Sequence, residues 1–322
     1  MSKVLSVSIA AYNVEKYIEN AVDSIINGGV INDVEVFIVN DGSKDNTAAI
    51  AKKYVEKYPN SVFLIDKENG GYGSTINSSL AYAKGKYFKI LDGDDWFDSN
   101  NLIDFVSFLK DCEVDMVLTQ YTHFYEPQMT TELVEQEYRY NIVTPISELT
   151  KYSMHAAAVK TECIKSEISI TEHCFYTDVE YFLKIANCCE SFISIPLNIY
   201  CYRLGREGQS MSVEGILKHL DNHDMITRNA ISLVNTSEKL INMRECIIRM
   251  ASRNYGYLLL AYPNRANFER FMSYRDYIKR NCTDILKYLN TQEKVTYYLP
   301  HIFYKPYSYL KRRRYKVNKI KG

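Results

Sequence analysis

Over residues 4–92, short runs rich in β-branched residues alternate with segments whose apolar residues recur every three to four positions, and this alternation restricts the fold most. "VLSVSIAAY" (4–12) reads as a strand, and "VEKYIENAVDSIIN" (14–27) as a helix that stops at Gly28-Gly29. "VEVFIVND" (34–41) is a second strand. "SKDNTAAIAKKYVEKY" (43–58) is a helix opened by Ser43 or Asp45 as cap and ended before Pro59. "SVFLID", "GSTINSSLAYAK" and "KYFKILD" continue as strand, helix and strand. Strands this continuously apolar, separated by helices, belong to a parallel sheet covered on both faces. Ligands of such sheets bind beyond the carboxyl ends of the strands.

Three of these strands end in polar or aromatic groups at that edge: Tyr12-Asn13, Asp41-Gly42-Ser43 and Asp92-Gly93-Asp94. The last opens a cluster in which Asp92, Asp94, Asp95 and Asp98 fall within seven positions, and such crowding calls for a positive partner. Gly93 lets the backbone bend between the first two carboxylates, so both can reach one hard divalent cation, Mg²⁺ or Mn²⁺. An acidic turn that merely caps the helix beginning near Asp98 or Asn100 accounts for the local residues equally well.

Beyond about residue 115 the pattern is mixed. "DMVLTQYTHFY" is strand-like, "TTELVEQEYRYN" a strand or hairpin, "TDVEYFLKIANC" a helix, and "SFISIPLNIYCYRL" a strand running into a loop. From Gly215 onward helical patterns dominate. His219 and His223 stand four apart on one of them; without a third ligand at motif spacing they read as a solvated polar face. The eight cysteines are scattered without paired CxxC spacing, which excludes a zinc ribbon and fits reduced thiols, Cys188-Cys189 included. The first apolar run is too short for a signal peptide, and no run reaches the ~18 residues of a membrane span.

The strand–helix blocks, with "SVSIAAYNVEKYIENAVDSI", "VEVFIVNDGSKDNT", "ENGGYGSTINSSLAYAKGKYFKILDGDDWFD", "FYTDVEYFLKI" and "IYCYRLGREGQSMS" in that order, resemble the inverting glycosyltransferases of family 2. The resemblance covers residues 4 to about 213. It implies the α/β GT-A fold of nucleotide-diphospho-sugar transferases, a mostly parallel sheet flanked by helices. It also implies three parts: a catalytic domain at 1–213 (nucleotide half 1–115, acceptor half 116–213), a helical extension at 214–300 and a basic aromatic tail at 301–322.

The resemblance implies site roles as well. Asp41 takes the N3–H of a uracil ring, Tyr12 stacks on the base, and Ala10 and Ala11 leave room beside it. The family more often carries proline near position 11. Asn69 to Gly71 line the nucleotide, while Ile76 stands where relatives usually carry arginine. Asp92 faces ribose and metal across Gly93, Asp94 is the direct metal ligand, and Asp95 buttresses the loop. Asp178 occupies the slot of the family's catalytic base, with Thr177 in place of the usual glutamate before it; Glu180 and Glu172 are fallback bases. A helix N-terminus favours the ionised carboxylate that a base requires. Arg203, Arg206 and Ser210, in a loop freed by Gly205 and Gly208, clamp the pyrophosphate.

Formal charge is zero overall but uneven. Eight Lys or Arg residues and no acid follow position 304, so residues 1–304 hold 31 basic against 39 acidic residues. The tail "YYLPHIFYKPYSYLKRRRYKVNKIKG" interleaves aromatics with that basic run. It suits an anionic membrane surface, at ~1 kcal/mol per basic residue, or non-specific nucleic acid; the resemblance favours the membrane, since many members of that family act on lipid-linked acceptors. The expectation is a cytoplasmic enzyme, peripheral at the inner face of the cell membrane. With Mn²⁺ or Mg²⁺ it moves a hexose or N-acetylhexosamine from a UDP-sugar to a glycan or lipid-linked oligosaccharide, with no specific nucleic acid as partner. Two rivals stand beside it. A nucleotidyltransferase would carry a glycine-rich basic loop that "SIAAYNVEKY" lacks, and a non-catalytic nucleotide-sugar-binding subunit would tolerate loss of Asp178.

Overall fold

The computed structural model of the protein describes residues 3–205 and 213–315, so Arg206, Gly208 and Ser210 lie outside the described residues. The chain divides into two compact units, Met1–Glu207 and Gly208–Gly322.

The first unit begins with the alternation that the periodicity predicts: β1 (Leu5–Ala11), α1 (Ile18–Asn27), β2 (Val34–Asp41), α2 (Thr47–Lys57), β3 (Val62–Lys67), α3 (Tyr72–Tyr82) and β4 (Tyr87–Asp92). A two-residue strand β5 (Trp96–Phe97) and α4 (Ser99–Asp111) follow, then β6 (Met116–Tyr125), β7 (Thr130–Val134), β8 (Val143–Pro145) and β9 (Ala157–Lys160). The short α5 (Thr161–Ile164), α6 (Thr177–Cys188) and β10 (Ser191–Leu204) complete it. Asp98 caps α4 with its side chain, accepting from the amides of Asn100 and Asn101 at 3.0 Å each, so this acid of the cluster belongs to the helix and not to a cation.

The ten strands form one sheet in the order β3-β2-β1-β4-β9-β6-β10-β5, with β7 on β6 and β8 on β10. β1, β2, β3 and β4 are parallel, so their carboxyl ends share one edge. Ala10 sits beside Asp92 and Ala11 beside Asn40, which brings the three predicted rim segments together. Every residue of β2 is buried, as expected for a strand covered on both faces. Leu5, Val7, Ile9, Val34, Val36, Ile38 and Leu91 anchor a core shared with α1 and α4, each such side chain contributing about 1.5–3 kcal/mol of burial. Beyond β4 the sheet is mixed. β9 runs antiparallel to β4 and β6, whereas β6 and β10 are parallel to each other. The stretch read as a strand or hairpin is a hairpin partner, β7, antiparallel to β6.

The second unit is helical: α7 (Val213–Lys218), α8 (Leu220–Thr236), α9 (Arg244–Leu258), α10 (Arg265–Asn281), α11 (Thr291–Tyr298) and α12 (Pro300–Arg314). His223 does not belong to a solvated face. It is buried on α8, its Nδ1 2.9 Å from Asn254 Oδ1, because the helix turns that side toward α9. All eight cysteines are free, Cys189 fully buried.

Candidate active site

The site is built from the turn after β4 outward. The Gly93 amide donates to the Ala10 carbonyl at 2.9 Å, and a Cβ at position 93 would stand 2.7 Å from that oxygen. Only glycine lets the turn fold back against β1, so Asp92 and Asp94 flank a residue that cannot carry a side chain. The Asp95 amide then closes the turn on the Asp92 carbonyl at 3.0 Å.

Asp92 is half-buried at the strand end and accepts a hydrogen bond from the Tyr72 hydroxyl at 2.7 Å. Asp95 is fully buried; it accepts from the Tyr200 hydroxyl at 2.7 Å and from the Arg203 amide at 2.8 Å. It therefore ties the turn to β10, the buttressing role expected of it. Burial first, and then the charges of Asp92 and Asp94, push the Asp95 carboxyl well above the usual carboxylate range. Its bonds from Tyr200 and Arg203 are nevertheless ones that an ionised carboxylate accepts. A cation at the turn reconciles bonds that favour ionisation with neighbours that oppose it.

His155 is the residue that sequence reasoning missed. In antiparallel β9, Lys160 faces Tyr87 and Val159 faces Phe88, so extending that register sets position 155 beside Asp92. Its Nε2 lies 3.8 Å from Asp92 Oδ2, is buried, and has no hydrogen-bond partner. Nδ1 is 2.9 Å from Ser153 Oγ, and the ring packs against Tyr202 and Tyr200 with centroids 4.4 and 4.7 Å away. The backbone is clamped by Lys89 Nζ, which donates to the His155 carbonyl at 2.6 Å. Ligand atoms of Asp92, Asp95 and His155 lie within 4.8 Å of one another. An octahedral ion with bonds of about 2.1 Å spans about 4.2 Å between opposite ligands, so this set fits a divalent ion after a small closure. The unsatisfied ring nitrogen is the strongest sign that something else belongs there.

Asp178 is in the first turn of α6, whose preceding residue Tyr176 adopts a left-handed conformation at φ 67°. The Asp178 residue is exposed to solvent. Desolvation of its carboxyl by the surrounding protein nonetheless raises its pKa; the amides of Val179 and of Asp178 itself and then His155 pull it down, and Asp92 adds a smaller push upward. Asp92 and His155 are thus near enough for their charges to act on the Asp178 carboxyl. The fallback bases are otherwise engaged. Glu180 accepts from Thr171 and from Lys184 Nζ at 2.7 Å, and Glu172 accepts from Asn77 at 3.0 Å.

On the other flank, Tyr12 is half exposed beside Asn13, with its ring available to a flat ligand. Asp41 is buried, with Oδ1 accepting from Lys67, Gly70 and Ser74 and Oδ2 from Gly71 at 2.9 Å. The Asn69 side chain donates to the Asp41 carbonyl at 2.9 Å. Asp41 thus holds the 67–74 loop, and only a remaining lone pair of Oδ2 faces any further donor. Ile76, at the position where arginine was expected from the resemblance, is buried on α3. Arg203 reaches the acidic turn but faces inward: Nε donates to the Asp94 carbonyl at 2.8 Å, and Nη1 pairs with Glu126 at 3.2 Å. Its guanidinium lies 4.7 Å from the Trp96 ring centre and 4.9 Å from that of Tyr17.

The sequence profile described as "Glycosyl transferase family 2" matches residues 6–163. The "Uncharacterized glycosyltransferase MG025 homolog" of Mycoplasma pneumoniae is 30% identical over 212 residues, covering 61% of this chain and 67% of that protein. The minor teichoic acid biosynthesis protein GgaB of Bacillus subtilis (strain 168) is 28% identical over 252 residues, 73% of this chain but 27% of GgaB. The chain therefore spans about a quarter of the length of that relative. The crystal structure of S. aureus TarS 1-349 in complex with UDP superposes with a TM-score of 0.70 at 18% identity, covering 97% of this chain and 91% of that one. The fold is thus the mixed sheet flanked by helices of GT-A glycosyltransferases. The chain belongs to glycosyltransferase family 2.

Proposed function

We propose that this glycosyltransferase inverts configuration while moving a hexose or N-acetylhexosamine from a UDP-sugar to a hydroxyl of a glycan. The acceptor is carried on lipid at the cytoplasmic face of the cell membrane, and the product is cell-surface polysaccharide. One observation carries the reading: the ligand atoms of Asp92, Asp95 and His155 within 4.8 Å of one another at the rim of the parallel strands, with Asp178 at the start of α6 near enough to feel the charge of Asp92. The UDP and UDP-GlcNAc complexes of TarS support a UDP-sugar donor, and the teichoic acid protein GgaB supports a polysaccharide product.

Tyr12 offers its ring to the base, Asp41 its remaining lone pair to the uracil N3–H, and Asn69 and Gly71 border the nucleotide. Ala10 and Gly93 form a floor close enough for Asp92 to reach the ribose. Asp92, Asp95 and His155, with Asp94 on the same turn, would hold Mn²⁺ or Mg²⁺, the former ion being present with GDP-Man in the mannosyltransferase PcManGT from Pyrobaculum calidifontis. When bound, the ion would neutralise charge developing on the departing diphosphate. Asp178 removes the proton from the acceptor hydroxyl as it attacks the anomeric carbon, the position that a carboxylate base occupies in inverting glycoside chemistry. The family resemblance assigns Arg206 and Ser210, outside the described residues, to the pyrophosphate, while Arg203 contributes by fixing the Asp94 carbonyl.

The test is release of UDP across a panel of nucleotide sugars, with Mn²⁺ and with chelator. Turnover confined to one or two UDP-sugars and lost in chelator is the expected result. Pyrophosphate release would identify a nucleotidyltransferase instead, and undiminished turnover in chelator would remove the metal from the scheme.

A further inference from the structure

Helix α12 has two unlike sides. Inward, Tyr304, Tyr307, Ser308 and Arg312 are buried. Ser308 Oγ donates to the Ala261 carbonyl at 3.0 Å, Arg312 to the Leu260 carbonyl at 2.7 Å, and Lys311 pairs with Glu293 at 2.9 Å. Two of the basic residues in the run thus serve to fasten the helix to its own unit. Outward, Leu299, Ile302, Phe303, Pro306 and Leu310 recur at three- and four-residue spacing and are all exposed, Ile302 and Leu310 to 63% each. A continuous apolar stripe on the surface of a folded unit marks an interaction site.

The charge around that stripe says what it meets. Lys305, Arg313 and Arg314 are exposed along it, with no acidic partner among the described residues. The last acid in the chain is Glu293, already paired with Lys311. We propose that this face of α12 lies on an anionic bilayer. Ile302, Phe303 and Leu310 enter the interface, and Lys305, Arg313 and Arg314 meet lipid phosphates. At 15 residues the helix is too short to span a membrane. An in-plane helix with apolar residues on one face and bordering cations is the form that binds such surfaces. Nucleic acid would match the cations but leave the aliphatic side chains in water. The proposal locates the surface at which a lipid-carried acceptor is met, and so deepens the functional reading above. Its test, however, needs neither donor nor turnover.

The full chain is sedimented with vesicles of phosphatidylcholine alone and of phosphatidylcholine with phosphatidylglycerol. Binding only to the second, weakened by salt, is expected. Arg313→Gln with Arg314→Gln should weaken it about thirtyfold, at roughly fivefold per charge. Ile302→Asn with Leu310→Asn should abolish it while UDP binding and the unfolding midpoint stay unchanged, which separates loss of docking from loss of fold. Equal affinity for neutral vesicles, or none for either, overturns the proposal. So does a dimer by light scattering that the apolar double variant converts to monomer, since the stripe is then an interface between copies.

Discussion

The two stretches of the first unit reach the same rim by different routes. Residues up to Asp92 arrive through parallel strands, whose carboxyl ends share an edge by construction. Residues 155 and 178 arrive later: His155 ahead of the antiparallel β9, and Asp178 in a helix that leads into β10, which runs parallel to β6. The parallel half contributes oxygen groups to the site, Asp92, Asp94 and the Tyr72 hydroxyl; the later half contributes a nitrogen and a second carboxylate, set apart from the turn. Under the proposed function, binding of a nucleotide and the chemistry performed on it fall to separate parts of the sheet, and each should be open to damage without the other.

The largest effect should come from the later half. Asp178→Asn removes the proposed base but keeps its shape, and kcat should fall by about 10³-fold. UDP affinity, which belongs to the parallel half, should change little. A loss smaller than tenfold would move the base elsewhere, and a proportionate loss of UDP affinity would dissolve the division between the halves. The pH profile of the native enzyme sharpens the point. Because the surrounding protein desolvates the Asp178 carboxyl and raises its pKa, the acid limb of kcat/KM should lie above the usual carboxylate range, with activity lost as pH falls through it.

His155→Phe should come next. The ring still fills the space between Tyr200 and Tyr202, but the orphaned nitrogen is gone. Mn²⁺ affinity, followed by electron paramagnetic resonance in the presence of UDP, should drop by at least about tenfold. The loss should be smaller for Mg²⁺, which favours oxygen ligands more strongly. Unchanged Mn²⁺ binding would return the metal to the carboxylates of the parallel half alone.

This asymmetry also governs what was legible beforehand. β2 and α6 stand where periodicity sets them, residues 34–41 and 177–188. Asp92 and Asp41 could be placed because a parallel sheet needs only the end of each strand to define its rim. His155 could not. Nothing in "SMHAAAVK" signals a site, and its position depends on β9 running against β4 and on the register between them, which is a fact about pairing. Tyr72 was closer to reach, since it sits inside the glycine-rich "ENGGYGSTIN". Arg203 stands at the acidic turn, but its inward contacts with the Asp94 carbonyl, Glu126 and the Trp96 ring were not legible, because an arginine fork suits a phosphate and an aromatic cage equally well. His223 misled for a related reason: spacing on a helix does not say which side the neighbouring helix covers.

The smallest effect concerns the joint between the two halves. Lys89 of β4 is fully buried, and its ammonium donates to the carbonyls of His155 and Ala157 at 2.6 and 3.2 Å. Burial lowers its pKa to about 7 from 10.5. Between those values the unfolded chain binds a proton that the folded chain does not. Stability should therefore rise with pH across that window and level off below about 7. The contribution to the slope is at most about 1.4 kcal/mol per pH unit. Lys89→Met should flatten denaturant-measured stability between pH 7 and 9 while also releasing the His155 carbonyl, so Mn²⁺ affinity should weaken alongside. If the slope disappears but metal binding is untouched, Lys89 is a core residue only, and the antiparallel half holds His155 without help from β4.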